Sequence, residues 1–459
     1  MKLTCLALAA ALLAGCAHGP EVPAPEVAPP GSWTVSDGDR TPDWAGLLDA
    51  TLASLQARAL EANRDLAQAA LRWQQARLLA EQSALRWTPS AGLSANASRP
   101  LQTQTTTRNV DVGGVTVPVT TSTGWSRSYG ASIGVGYELD LWDRIAQADA
   151  AQRANAEAVR TDVEAARLSL RSQVADAYWT LAALQAQQPL AETQLALTRE
   201  TLALTRQRVL EGKLLPIEVD KIAVNVQAAQ AHLADLAADT LLQRQRLALL
   251  LDEPLPGPAP AAALPTGEPP HWRLSDPAEV LARRPDVLKA RLGVDAALAR
   301  LRAAEADRYP RLSFSAGVNT GGTLARDWLA QPLASFAANL VVPMIDWKRL
   351  DLQREGARSE LDSAALALRD TLQKALADIE TQRVEAERTA QQLAANAGRL
   401  REATENERLA ALRYEVGAIS RADWLQVRSA RLDAEQTRIQ LRLRQWQVQA
   451  LLFKALGGA

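Results

Sequence analysis

The sequence predicts a mainly α-helical tandem repeat in which pairs of β-strands alternate with very long helices. The segment Arg208–Gly212 recurs as Arg413–Gly417, so the two halves share one architecture. Each half contains segments of alternating apolar and polar residues, which indicate strands, followed by about 70 positions almost free of Gly and Pro. Aromatic residues make up only 4% of the chain, which is typical of helix bundles.

The N-terminus has the features of a secreted lipoprotein. Residues 1–15 form a charged start, an apolar run and a small-residue site, and they are shorter than the roughly 20 apolar residues that span a bilayer. Leu13-Ala14-Gly15-Cys16 resembles the bacterial lipobox, which predicts a lipid on Cys16, and Ala17 after it favours the outer membrane. The alternative is an ordinary signal peptide with an incidental cysteine. Residues 16–43 are rich in Pro and predict an extended, lipidated tether.

The first repeat is predicted to cover residues 44–252. Two helices open it, and Pro89 ends the second because proline cannot continue a helix. The Thr-rich segment from Gln102 to Thr123 is predicted to be a loop between two strands. The further predicted elements are a strand pair at about 90–141, a long helix at 143–211 and a return helix at 217–251.

The second repeat is predicted to cover residues 277–459, after a linker of Pro and Ala at 253–276. Its predicted elements are an opening helix, a strand pair at about 311–343, a long helix at 347–416 and a return helix at 420–456. At about 1.5 Å per residue, each long helix should reach roughly 100 Å. The first repeat carries 16 more residues than the second in its strand region.

The predicted strands have one apolar face and one face of small polar residues. Four strands cannot close a barrel in a membrane, because open edges leave backbone groups unsatisfied in hydrocarbon and known barrels start at about eight strands. Three copies would supply twelve strands, with the Ser and Gly face lining a wide lumen. Trp125 and Trp142 are spaced to act as aromatic anchors at the two membrane interfaces. A soluble β-sandwich is the alternative.

Composition argues against several other functions. The net charge is −1, so nucleic acid is an unexpected partner. The sequence shows no Ser/His/Asp order, phosphate-binding loop or paired catalytic carboxylates, and its three histidines are scattered. We therefore expect no enzyme, no metal site and no cofactor beyond a covalent lipid on Cys16.

Several motifs in a fixed order suggest a family. They are Arg283-Arg284-Pro285-Asp286-Val287 with Ala290, Leu249-Leu250-Leu251 before Pro254, Tyr137-Glu138-Leu139-Asp140-Leu141-Trp142, and the segments that end at Gly212 and Gly417. With these motifs, the mature chain resembles the TolC-like outer-membrane factors of tripartite efflux systems, specifically the lipoprotein branch called NodT-like or OprM-like. The resemblance implies a homotrimer with a twelve-stranded outer-membrane barrel and a long α-helical barrel in the periplasm. It also implies a periplasmic adaptor docked on the lower end and an inner-membrane pump of the RND type.

The resemblance assigns roles to residues at the helix tips. Gly212 and Gly417 should supply turns that need positive φ, and in the family these turns contact the adaptor. Arg208 and Arg413 precede them, and their alternative role is a favourable charge at a helix C-terminus.

Two acidic residues are candidates for a periplasmic gate. Asp423 matches a family position where aspartates ring the entrance, and Glu218 stands at the equivalent distance after Gly212. Three copies around one axis would repel unless they were hydrogen-bonded or bound to a cation. Ordinary capping of a helix start is the alternative for both. Some relatives carry a second aspartate where this chain has Gln426.

The function predicted from the resemblance is a passive channel that carries substrates from adaptor and pump across the outer membrane. One alternative is a lipid-anchored coiled-coil scaffold of the envelope without a pore. Another is the exit duct of a type I protein-secretion system. The sequence does not identify the cargo.

Overall fold

The computed structural model describes residues 44–458 except 100–103, 124–126, 259, 261, 270–271, 273–275, 325, 327–328 and 330–331. The predicted signal peptide, Cys16, the tether and Trp125 lie outside the described residues.

The described chain divides into a sheet unit, residues 75–156 and 293–365, and a helical unit formed by the remainder. The helices are α1 (Ala50–Ala62), α2 (Arg64–Ala84), α3 (Arg144–Leu210), α4 (Ile217–Leu251), α5 (Pro277–Arg283), α6 (Pro285–Ala306), α7 (Trp347–Glu415) and α8 (Arg421–Ala455). The strands are β1 (Ser90–Ser98), β2 (Gln104–Val112), β3 (Val115–Thr123), β4 (Ser128–Leu139), β5 (Arg311–Gly322) and β6 (Leu333–Val341).

The sheet unit contains a four-stranded antiparallel sheet in the order β1-β4-β5-β6. This arrangement confirms the two predicted strand pairs, one from each repeat. The strands β1 and β6 form the two edges of the sheet, and every residue of both is exposed. A single copy therefore leaves two unpaired strand edges.

The two faces of this sheet differ as the alternation predicts. On one face Tyr137 pairs across from Phe314, and the Phe314 and Phe336 rings stack at 6.2 Å between centroids. On the other face the Ser94 and Ser132 hydroxyls are 2.7 Å apart. Ile133 on the apolar face is 54% exposed, so the described residues leave this part of the face uncovered.

The predicted Thr-rich loop is wrong, because residues 104–123 of that segment form a second, two-stranded sheet of β2 and β3. Gly113 and Gly114 have φ of 66° and 86°, values that a tight hairpin turn requires. Two glycines between alternating valines are a recognised hairpin signal, which the abundance of Thr obscured. The hairpin also accounts for the additional residues of the first repeat.

The long helices of both repeats end within one residue of their predicted boundaries. Helix α3 runs from Arg144 to Leu210 without a break at Pro189, and α7 runs from Trp347 to Glu415. The first return helix, α4, has the predicted bounds, and α8 is one residue shorter at each end. No helix in the described ranges is both long and apolar enough to cross a membrane.

Aromatic residues on α3 and α8 pack within the core of the helical unit, among many Leu, Val and Ala side chains. Trp179 and Trp446 lie 5.7 Å apart between ring centroids, and both are buried. Phe453 contacts Trp44 and Trp272, so the start of the first repeat and the linker pack on the last helix. The linker is therefore attached to the core at Trp272, which is buried.

The repeat is visible in two residues with equivalent roles, Asn63 and Arg284. Each ends one helix and starts the next, and each side chain bonds to the last turn of the return helix of its own repeat. Asn63 Nδ2 donates to the Leu250 carbonyl at 3.1 Å, and Arg284 Nη1 donates to the Ala455 carbonyl at 2.6 Å. Both contacts satisfy carbonyl groups that a helix C-terminus leaves without partners.

Candidate functional site

The two repeats each end their long helix in the same turn. At the first tip, residues 208–217, the Gly212 amide donates to the Val209 carbonyl and the Lys213 amide donates to the Arg208 carbonyl. At the second tip, residues 413–421, the Gly417 amide donates to Tyr414 and the Ala418 amide donates to Arg413. This pattern defines a Schellman motif, which requires a residue with positive φ at its centre.

Gly212 has φ of 71° and Gly417 has φ of 76°, so the predicted turn geometry is confirmed at both tips. The carbonyls of Arg208 and Arg413 accept the hydrogen bond of each motif that comes from the amide five residues later. Their positive charges also lie where the helix dipole favours them. A role of these residues in adaptor docking stays a prediction.

The first tip presents apolar side chains to solvent. Leu210 is 88% exposed and Leu215 is 70% exposed, and Ile217 is exposed as well. The adjoining Glu211 carboxylate accepts from the Lys213 ammonium at 2.7 Å. This hydrogen bond, with another from Gln207, lowers the pKa of Glu211 below its ordinary value.

The second tip also exposes an apolar side chain, Val416, and Asp423 is part of the cap of the helix that follows it. The Ser420 hydroxyl donates to Asp423 Oδ2 at 2.7 Å, and the Ser420 amide donates to the same oxygen at 3.1 Å. In return the Asp423 amide donates to the Ser420 hydroxyl, which completes a capping box. The Ser420 hydrogen bonds lower the pKa of Asp423, and the positive charge of Arg208 contributes in the same direction.

Glu218 occupies the equivalent position in the first repeat but has a different partner. Its carboxylate accepts from the Lys221 ammonium one turn later at 2.7 Å. The N-cap residue of this helix is Pro216, which supplies no side-chain cap. Within one copy, the two candidate gate residues are therefore held by unlike contacts.

An aromatic and cationic cluster at the second tip was missed from the sequence. The Tyr414 and Trp424 rings stack at 5.8 Å between centroids, and the Arg421 guanidinium lies 4.2 Å from the Trp424 ring centroid. Arg421 also donates to Glu200 of α3 at 2.7 Å, which raises the pKa of Arg421. Tyr414, Arg421 and Trp424 are close enough in sequence to suggest an aromatic and cationic cluster. The contact of Arg421 with Glu200 could not be predicted, because the two residues are far apart in sequence. This cluster connects the second tip to a helix of the first repeat.

Trp142, the predicted aromatic anchor within the described residues, follows β4 at the junction with α3. Its indole nitrogen donates to the Pro310 carbonyl at 2.8 Å, and its ring stacks on Tyr309 at 4.6 Å. The next residue, Asp143, has φ of 60°, a conformation that few residues other than glycine adopt. These contacts fix the ring at the point where strand changes to helix.

The tips offer carboxylates, guanidinium groups and apolar side chains, a set suited to binding a protein partner or cations. Across the part of the chain that the structure describes, no group of three or more His, Cys, Asp or Glu residues is placed to hold a metal ion. The geometry of the tips is therefore suited to recognition of a protein partner and to electrostatic attraction of cations.

Comparison with known proteins decides the family. Residues 55–253 and 277–458 match the family model described as outer membrane efflux protein, which covers both repeats. The chain belongs to the outer membrane efflux protein family. This result confirms the TolC-like resemblance and the function predicted from it, an outer-membrane channel component of a tripartite efflux system.

Relatives in the outer membrane efflux protein family align over almost the whole chain. The pyoverdine export outer membrane protein OpmQ of Pseudomonas putida is 28% identical over 453 residues, which cover 96% of this chain and 94% of that protein. Nodulation protein T of Rhizobium leguminosarum bv. trifolii is 25% identical over 466 residues, which cover 97% and 95%.

A solved structure of an outer membrane channel has the same fold. The open state of the MtrE outer membrane channel of Neisseria gonorrhoeae superposes with a TM-score of 0.80 at 24% identity. The match covers 96% of this chain and 98% of that one. The mainly helical architecture with two strand pairs is therefore that of the outer membrane efflux protein fold.

Proposed function

We propose that three copies of this chain form a passive conduit through the outer membrane, with a shared twelve-stranded barrel. The observation that carries the proposal is the four-stranded sheet with open edges at β1 and β6. Such edges leave backbone groups unpaired in hydrocarbon, and pairing β1 of one copy with β6 of the next removes every edge. The apolar face with Phe336 and Ile133 then meets lipid, and the Ser and Gly face lines the lumen.

The membrane attachments proposed for this conduit are a lipid and two aromatic anchors. Cys16 would carry the lipid, since it ends a lipobox after an apolar signal segment. Trp125 and Trp142 would mark the two interfaces of the membrane. The fixed ring of Trp142 beside Tyr309 is consistent with such an anchor, because amphipathic aromatic rings are favoured at headgroup level.

The tips are the proposed docking surface for a periplasmic adaptor, which joins the channel to an inner-membrane pump of the RND type. Gly212 and Gly417 hold the turns, and Arg208 and Arg413 lie beside them. The exposed apolar residues of the first tip supply surface that water solvates poorly, and such surface favours protein contacts.

Asp423 and Glu218 are the proposed acidic residues of a periplasmic gate. Threefold symmetry would bring three copies of each around one axis, where like charges repel or bind a cation. The lowered pKa of Asp423 is compatible with this role, because its carboxylate stays ionised even at a pH somewhat below the ordinary carboxyl range. Lys221 neutralises part of the charge of Glu218, so Asp423 should dominate the ring.

The proposed conduit is passive: it carries out no catalysis and needs no cofactor apart from the covalent lipid on Cys16. Its cargo would be small molecules selected by the pump. The names of relatives support this class, since they include a pyoverdine export protein and a toluene efflux pump component. A protein cargo would instead indicate an exit duct for secretion.

The test is the behaviour of the purified, full-length protein. We expect a trimer band that collapses to one copy on heating in detergent, and discrete conductance steps in planar bilayers. Asp423→Asn should reduce the preference for cations over anions, because the acidic ring loses its charge. Asp433→Asn, on the same helix ten residues later, is the matched control and should leave the preference unchanged. A stable trimer that never conducts would favour the poreless scaffold.

A further inference from the structure

The β2–β3 hairpin has one largely apolar face that the described residues of the chain do not cover. Paired residues of an antiparallel ribbon lie on the same face, and the faces alternate along each strand. The valine face carries Val110, Val112, Val115, Val117 and Val119, and it also includes Thr106, Arg108 and Thr121. The opposite face is polar and consists of Thr105, Thr107, Asn109, Asp111, Thr116, Pro118 and Thr120.

This hairpin lacks the support that a two-stranded ribbon needs. Val112 and Val115 are each 66% exposed, and all residues from 105 to 121 are exposed in the single chain. An isolated hairpin is marginally stable at best in water, and it requires more strands or a packed face to persist. A row of five valines beside a glycine turn is therefore expected to be covered by something outside the chain.

The position of the hairpin in the sheet indicates what covers it. It is inserted between Ser98 of β1 and Ser128 of β4, at the end of the sheet opposite the start of α3. Strand β1 is an edge strand, which another copy must complete if the proposed function is correct. The hairpin thus starts next to the boundary between copies, and the described residues between β5 and β6 form no equivalent of it.

We propose that the valine faces of the three hairpins pack against one another in the trimer, so that the partner of this surface is a second copy of the same chain. Rotational symmetry places identical faces around one axis, and an apolar face is complementary to itself without any matching of charges. This inference rests on the proposed trimer. Pro118 lacks a backbone amide and disfavours adding strands to the β3 edge, so contact through faces is preferred to contact through edges.

The outer leaflet of the membrane is a poorer partner for the valine face. Arg108 lies directly across from Val119 on that face. Insertion of the valines into hydrocarbon would also bury the Arg108 guanidinium group there, which costs free energy. Packing of the valine faces between copies instead leaves Arg108 at the edge of the contact, where water can hydrate its guanidinium group.

Cysteine substitutions on opposite faces of β3 test the proposal. Val117→Cys places a thiol on the valine face, and Thr116→Cys, its neighbour in the chain, places one on the polar face. In outer membranes treated with a short bismaleimide, we expect covalent dimers from Val117→Cys and only single copies from Thr116→Cys. The unsubstituted chain, treated in the same way, controls for its native cysteines.

A second measurement identifies the environment of the valine face. A bimane fluorophore on Val117→Cys in the purified trimer should be shielded from aqueous iodide and unaffected by nitroxide-labelled lipid. Quenching by the labelled lipid would overturn the proposal in favour of the membrane, and quenching by iodide would show an uncovered face.

Both variants should keep the heat-sensitive trimer band. Loss of that band in the unsubstituted chain would contradict the trimer itself, whereas a trimer without Val117→Cys dimers contradicts only the hairpin contact.

Discussion

At the scale of single residues, Asn63 and Arg284 show how far a repeat can be predicted from sequence. These two residues occupy equivalent positions in the aligned halves of the sequence. The hydrogen-bond partners of the two side chains could not be predicted from this equivalence. The Asn63 amide reaches one carbonyl, whereas the Arg284 guanidinium reaches several groups at once. Arg284 bonds to Asp286, Asp378 and the Ala455 carbonyl, whereas the preceding residue, Arg283, is exposed.

Replacing Arg284 should therefore destabilise the helical unit strongly. Arg284→Met keeps much of the apolar stem but leaves the Ala455 carbonyl buried without its partner. We expect a loss of about 2–3 kcal/mol in the free energy of unfolding, since the half-exposed carboxylates of Asp286 and Asp378 can be hydrated. Arg283→Met is the matched control and should change stability by less than about 0.5 kcal/mol. Denaturant unfolding in detergent measures both, and equal effects would show that the buried contacts are unimportant.

At the scale of elements, local sequence specifies the ends of the long helices well. Gly212 and Gly417 end them because only a residue that tolerates positive φ completes the turn at low cost. The hairpin was missed because Thr and Pro in one segment suggested a loop, although alternation around two glycines was present. The Arg421 cluster was unpredictable for another reason, since Glu200 reaches it only through the packing of two distant helices.

The capping box at the start of α8 should make the second tip sensitive to pH. The pKa of Asp423 in the folded chain is lowered, so its stabilising contribution is complete above the ordinary carboxyl range and is lost as the pH falls through the lowered value. Asp423→Asn should lower the melting temperature at neutral pH, and the difference from the unsubstituted chain should shrink on acidification. Glu218→Gln is the matched control, because its carboxylate forms no capping box. A difference that stays constant with pH would contradict the role of the ionised cap.

At the scale of the whole molecule, the two free strand edges determine assembly. Within one copy β1 and β6 are separated by two strands, or about 14 Å at the usual strand spacing. That distance is too long for a disulfide, which needs Cα atoms within about 7 Å. A disulfide between these strands can therefore form only between copies.

Cysteines on the two edges should report a closed ring. Leu93→Cys in β1, combined in turn with Ala334→Cys, Phe336→Cys or Ala338→Cys in β6, places both thiols on the apolar face. In oxidised outer membranes one of these pairs should match the register and give covalent products of two and three copies, with three as the limit. Closure sets that limit, because a ring leaves no edge to extend whereas an open contact adds copies indefinitely. Ser94→Cys with Phe336→Cys is the matched control, since its thiols lie on opposite faces and should not join. Products that exceed three copies, or single copies from every pair, would contradict the shared barrel.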